Sequence, residues 1–175
     1  KMQKCRGCAA KVAFTPLTSV LNRLDLIESS DDSINIDILK SNKTLIQSVD
    51  GFPSLVSDPW LNGRLLAFHS CSDIWACGGS VISAQSVVNL PSLSNDLQQE
   101  LLFQVLNGIN SALLIQGARL VGGHTLESRI IHEEPSSLAI EGSLIVNGTI
   151  EDKKYFWSKR GMKKGDQILI SRSLG

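Results

Sequence analysis

The stretch SVDGFPSLVSDPWLNGRLLAFHSCSDIWACGG, residues 48–79, decides the fold. Its first residues close a β-rich run over Lys43–Val49. Pro59 carries a fixed φ that suits the first turn of a helix, where its missing N–H costs nothing. The spacing predicts a helix from there through Leu65, Leu66 and Phe68 to Trp75, stopped by Gly78-Gly79. Val81–Leu90, rich in β-branched side chains, reads as the next strand.

Upstream, Thr15-Pro16 pairs a hydroxyl cap with a first-turn proline and predicts a helix to about Leu24. Ser33–Leu39 alternates, with Ile34, Ile36 and Ile38 on one face, and KSNK joins it to Lys43–Val49 as a hairpin. Downstream, Leu97, Leu101, Leu102, Val105, Leu106, Ile109, Leu113 and Leu114 hold the helical period from about Asn95 to Gly117. A short strand, Arg119–Val121, feeds Gly122-Gly123, and Leu138–Asn147 and Gln167–Ser171 are expected as further strands. Residues 127–137 are expected to form a mobile surface loop. Helices alternate with strands, but hairpins intrude. The expected class is therefore α/β (α+β) with a mixed sheet, not a doubly wound parallel fold.

The 175 residues suffice for one compact domain with its own core. A 42% apolar and 19% charged composition argues against disorder. Seventeen basic residues balance 17 acidic ones, so no large field draws nucleic acid or an anionic membrane. No apolar run nears the ~20 residues of a membrane span, and the start KMQKCRGC is not a secretory signal. Cys5, Cys8, Cys71 and Cys77 do not read as a secreted disulfide scaffold; reduced thiols in the cytoplasm are expected. Cys71 and Cys77 sit in an apolar stretch and read as buried structural cysteines.

Three clusters could carry chemistry, and each has a plainer reading. Cys5-Arg6-Gly7-Cys8 supplies two of the four ligands a structural zinc site needs. It could be a redox dithiol, yet the βαβ context of a thioredoxin motif is missing, or a nucleophilic thiol on a small-residue loop beside Lys11, whose ammonium favours thiolate and can bind phosphate. Asp31-Asp32, Asp50 and Asp73 are either solvated turn residues or a carboxylate cluster for Mg²⁺. Asp73 favours the second reading, since an unpaired carboxylate buried in an apolar helix is costly. Gly122-Gly123-His124-Thr125 is either a turn or a backbone cradle that lets N–H groups approach phosphate or ribose. Neither a Walker A motif nor GxGxxG is present.

In order and spacing these pieces resemble the selenophosphate synthetase (selenide, water dikinase) family. CRGCAAKV resembles its Cys-to-Lys signature, SSDDSINI its strand-leading aspartates, and residues 48–79 its long central motif. GARLVGGHT resembles its glycine-glycine-histidine motif, and GMKKGDQILISRSLG the turn entering a second domain. The resemblance implies a fold shared with aminoimidazole ribonucleotide synthetase, in which N-terminal sheets pair into a barrel in a homodimer. It divides the chain into a flexible catalytic loop (1–14), an ATP-binding domain (15–157), and a linker with the start of a truncated C-terminal domain (158–175). It implies conversion of ATP, selenide (or another reduced chalcogen) and water to selenophosphate, AMP and phosphate. Cys8 would be the reactive thiol and Lys11 the phosphate-contacting cation. Asp32 and Asp73 would hold Mg²⁺. Ser29, Ser30, Asp31, Asp50 and Asp73 would touch ATP, joined by Gly122, Gly123 and His124 of the neighbouring subunit.

Departures from the family pattern are His69 for the usual Asn, Ser57 for an acidic residue, and Ser33 for a small alanine-like one. A further metal-binding Asp would come from the second domain, so the isolated stretch is expected to be inactive. Some family members follow a flavin-dependent oxidoreductase module, an arrangement that the internal-looking start would suit. The rival readings are another kinase or synthetase of the superfamily, and a degenerate nucleotide-sensing or dimerisation domain.

Overall fold

The computed structural model describes residues 14–25, 43–128, 139–157 and 162–170. Helix α1 is Phe14–Arg23, strand β1 Thr44–Pro53, and helix α2 Pro59–Ala76. Strand β2, Ser80–Leu90, helix α3, Asn95–Ile115, strand β3, Arg119–Glu127, and strand β4, Glu141–Ile150, follow. A 3₁₀ turn at Lys153–Tyr155 comes after β4.

The sheet order is β1-β4-β2-β3. The β2–β3 pair is parallel, with α3 as the crossover, while β4 pairs antiparallel with both β1 and β2. This is the mixed sheet expected from hairpins interrupting the helix–strand alternation. The core lies between the sheet and α2 and α3, where Ile74, Val88, Leu102, Ile109, Leu113, Leu144 and Val146 are buried.

Helix α2 starts where the sequence dictates. Asp58 caps it by accepting from the Leu61 N–H at 2.9 Å, with Pro59 in the first turn. Buried Asn62 ties the preceding loop down: its Oδ1 accepts from the N–H of Leu55 (2.9 Å) and of Val56 (3.1 Å), and its amide donates to the Val56 carbonyl. Helices α2 and α3 then meet at two reciprocal glycines. A Cβ on Gly63 would lie 2.1 Å from the Val105 carbonyl oxygen, and one on Gly108 2.0 Å from that of Trp60. Backbone touches backbone there, and no other residue fits.

Several boundaries move from the sequence expectation. Strand β1 runs on from Val49 to Pro53, which carries Asp50 inside the sheet. The third strand does not end at Val121; it continues through Gly122-Gly123 to Glu127, so the glycines are strand residues and not a turn. Strand β4 begins at Glu141 and ends at Ile150. The strand expected at Gln167–Ser171 is absent over 167–170, where the backbone is irregular. Ile168, Leu169 and Ile170 are 76%, 91% and 62% exposed, with no neighbouring strand among the described residues to pair with them. The run at 33–39, residues 40–42 of its hairpin turn, and 129–137 of the expected loop lie outside the described residues.

The sheet has two unlike faces. Ile46, Leu144, Val146, Ala84 and Val88 face the helices. On the other face, Leu45 and Val49 are 50% and 66% exposed. A polar ladder crosses that face, from Gln47 Nε2 to Asn147 Oδ1 (2.8 Å) and from Asn147 Nδ2 to Ser83 Oγ (3.3 Å).

Candidate functional site

Asp50 and Asp73 come together through one seam, the contact of β1 with α2. The alternation of β1 puts Thr44, Ile46, Ser48, Asp50 and Phe52 on the helix side and leaves the intervening residues exposed. Along α2, His69 and Asp73 are four residues apart and share a face. The seam closes with two side-chain contacts: Ser48 Oγ donates to Asp73 Oδ2 at 2.9 Å, and His69 Nε2 lies 2.9 Å from Asp50 Oδ2. The other Asp50 oxygen, Oδ1, accepts from the Gly51 N–H at 2.7 Å. The Phe52 ring meets the His69 imidazole edge-on, with centroids 5.4 Å apart, and limits its swing.

Asp73 is not buried in an apolar helix as its sequence surroundings lead one to expect. Asp73 is exposed, so no desolvation penalty forces a partner on it. What singles it out is position, on the side of α2 that meets Ser48 and one strand step from Asp50. Ser48 and His69 were not legible as site residues, because only the strand–helix register brings them to the carboxylates.

Gly122, Gly123 and His124 do not join this seam within one chain. They belong to β3, which is separated from β1 by β4 and β2, a span of roughly 14 Å at ordinary strand spacing. His124 is in register with Val87 and Ser143, on the sheet face opposite to Asp50. Gly123 has a structural reason of its own, since a Cβ there would lie 2.1 Å from the Ser86 carbonyl oxygen. Gly122 has φ of 150°, a backbone that favours glycine.

Cys8, Lys11, Ser29, Ser30, Asp31 and Asp32 lie outside the described residues. Among the described residues no three His, Cys, Asp or Glu side chains gather as a metal site would require. Asp73 is a hard carboxylate donor of the kind Mg²⁺ takes, and any further oxygen ligands would come from a phosphate or another segment. Of the structural cysteines, Cys71 is fully buried and Cys77 half-buried, both as free thiols. Burial pushes the Cys71 thiol up from its ordinary range, against a weaker opposing effect of the Gln116 amide, whose Nε2 donates to Sγ at 3.6 Å. No helix among the described residues is long and apolar enough to cross a membrane.

With that geometry in place, the architecture finds its relatives. E. coli HypE, a hydrogenase maturation protein, superposes with a TM-score of 0.61 at 16% identity, covering 84% of this chain and 48% of that one. Thiamine monophosphate kinase from Aquifex aeolicus, solved with AMPPCP and TMP, gives a TM-score of 0.51 at 20% identity over 86% of this chain and 45% of its own. These likenesses define the fold class. The family model "AIR synthase related protein, N-terminal domain" matches residues 30–147, and the chain belongs to that family.

Within sequence relatives, selenide, water dikinase of Clostridioides difficile is 32% identical over 100% of this chain and 49% of its own length. The protein of the same name from Nitratidesulfovibrio vulgaris is 31% identical over 98% of this chain and 49% of its own. The chain thus spans about half the length of the curated relatives it matches.

Proposed function

We propose that this chain is the ATP-binding portion of a selenide, water dikinase, working on ATP, selenide and water to give selenophosphate, AMP and phosphate. The observation that carries the reading is the β1–α2 seam, which places the Asp50 and Asp73 carboxylates along one strand–helix contact, Asp73 bonded to Ser48 and Asp50 against His69. Relatives bearing the dikinase name match along this whole chain, seam included.

In this reading Asp73, together with Asp32, holds Mg²⁺, and Asp50 touches the nucleotide. The ion, when bound, neutralises phosphate charge and so favours phosphoryl transfer. The chain's own residues bind and orient. Asp50 and Asp73 fix the polyphosphate end, Ser29, Ser30 and Asp31 add contacts, and Lys11 supplies a charge-assisted bond to phosphate. Cys8, on a small-residue loop over the nucleotide, receives the reduced selenium species and shields it from water.

The distance between His124 and Asp50 within one chain favours a site shared between subunits. Two open sheet faces would pair into a barrel, and the Gly122-Gly123-His124 strand of one subunit would reach the nucleotide of the other. The exposed Leu45 and Val49 support that arrangement.

The test is selenide-dependent release of AMP by the full-length protein with ATP and Mg²⁺. AMP and phosphate formed in equal amounts, only when selenide is present, is the expected result. ATP turnover to ADP that ignores selenide would point to another kinase of the superfamily. No nucleotide binding at all would point to a degenerate domain.

A further inference from the structure

Resting on that reading of the seam, we propose that Ser48 and His69 are positioning residues that hold the two site carboxylates ready for the nucleotide. The seam is a crossed pair of contacts. The helix carboxylate, Asp73, accepts a hydrogen bond from a strand hydroxyl, Ser48 Oγ at 2.9 Å. The strand carboxylate, Asp50, lies against a helix imidazole, with Oδ2 2.9 Å from His69 Nε2.

The crossing follows from the two periodicities. Two residues along a strand advance about 6.6 Å, and four along a helix about 6 Å. Because α2 runs back along β1, Ser48 and Asp50 therefore line up with Asp73 and His69. Both rows also point the right way, since strand residues two apart and helix residues four apart each share a face. Each carboxylate thus meets a polar side chain from the opposite element.

Both contacts lie on accessible surface, with the His69 and Asp50 side chains 57% and 33% exposed. Exposed pairs of this kind add little to fold stability. Their effect falls on order. A carboxylate free to rotate must be immobilised when it takes up a ligand, and one already held does not pay that entropy again. Asp50 is held at both oxygens, by His69 and by the Gly51 N–H, and the edge-on Phe52 ring steadies the imidazole in turn.

The experiment measures MgATP affinity by calorimetry in the full-length protein for Ser48→Ala, Ser48→Thr, His69→Leu and His69→Gln, with melting temperatures alongside. Ser48→Ala and His69→Leu are expected to weaken MgATP binding roughly tenfold each, the size of one lost hydrogen bond to a charged group. Ser48→Thr and His69→Gln, which keep the donor, should stay within about twofold of wild type, and all four should melt close to it. Wild-type affinity in Ser48→Ala and His69→Leu, or losses that the donor-keeping variants share, would overturn the positioning role while leaving the nucleotide site intact. A wild-type protein that binds no MgATP would overturn both. An independent arm is the ¹⁵N shift of His69 Nε2 without nucleotide: Asp50→Asn should move it, and an unmoved signal would remove the contact on which the proposal stands.

Discussion

A cysteine with no water around it and a cysteine offered to a substrate make opposite demands, and this chain has candidates for both. Cys71 is fully buried, and its thiol is pushed up from the ordinary range. The folded state therefore keeps the thiol proton to higher pH than the unfolded chain does. The stability this contributes is intact below about pH 8.5 and is lost as pH rises through the raised folded value. Denaturant midpoints above pH 9 should accordingly fall less in Cys71→Ala than in wild type; parallel declines would show that Cys71 plays no part. Cys8 is the functional thiol in the proposed reaction, with Gly7, Ala9 and Ala10 around it. Cys8→Ser should abolish selenide-dependent turnover in the full-length protein while ATP binding persists, Cys5→Ser should do little, and Lys11→Ala should impair turnover. A more damaging Cys5→Ser would mean that the other thiol acts. Asp50 and Asp73 stand out in the sequence through the resemblance of the central motif to the dikinase family. Ser48 and His69 do not, since their role exists only once β1 and α2 are laid side by side.

At the level of elements, the α2–α3 contact is the tightest constraint in the fold. Gly63 and Gly108 each face a backbone carbonyl of the opposite helix, so a methyl group at either must push the helices apart. Gly63→Ala should cost about 3 kcal/mol and lower the melting temperature by roughly 6–12 °C. An unchanged melting temperature would contradict the helix spacing described. Helix starts and stops were legible, because Asp58-Pro59 and Gly78 act through local backbone rules that sequence displays directly. The strand ends were less so. Gly122-Gly123 reads locally as a turn, and only pairing with Gln85 and Ser86 of β2 keeps β3 extended through them. Ile168–Ile170 fails the other way, as an apolar β-prone run with no strand among the described residues beside it.

Over the whole molecule, the mixed sheet and its helix layer were legible from the order of elements, whereas which residues share a site was not. Asp50 and His124 lie on opposite faces of one sheet, so the shared-subunit arrangement needs an assembly. If the open faces pair, the full-length protein should sediment as a dimer at tens of micromolar, and Val49→Lys, which sets a charge on that exposed face, should yield monomers. A wild-type monomer under those conditions would rule the barrel out. If the β1–α2 seam holds nucleotide through Mg²⁺, calorimetric titration of ATP into the full-length protein, with Mg²⁺ and with chelator, should separate wild type from Asp73→Asn. Mg²⁺ should strengthen wild-type binding, and Asp73→Asn should lose at least tenfold of that gain without unfolding; an equal loss of affinity with and without Mg²⁺ would show that Asp73 is structural and that the seam holds no metal-bound nucleotide.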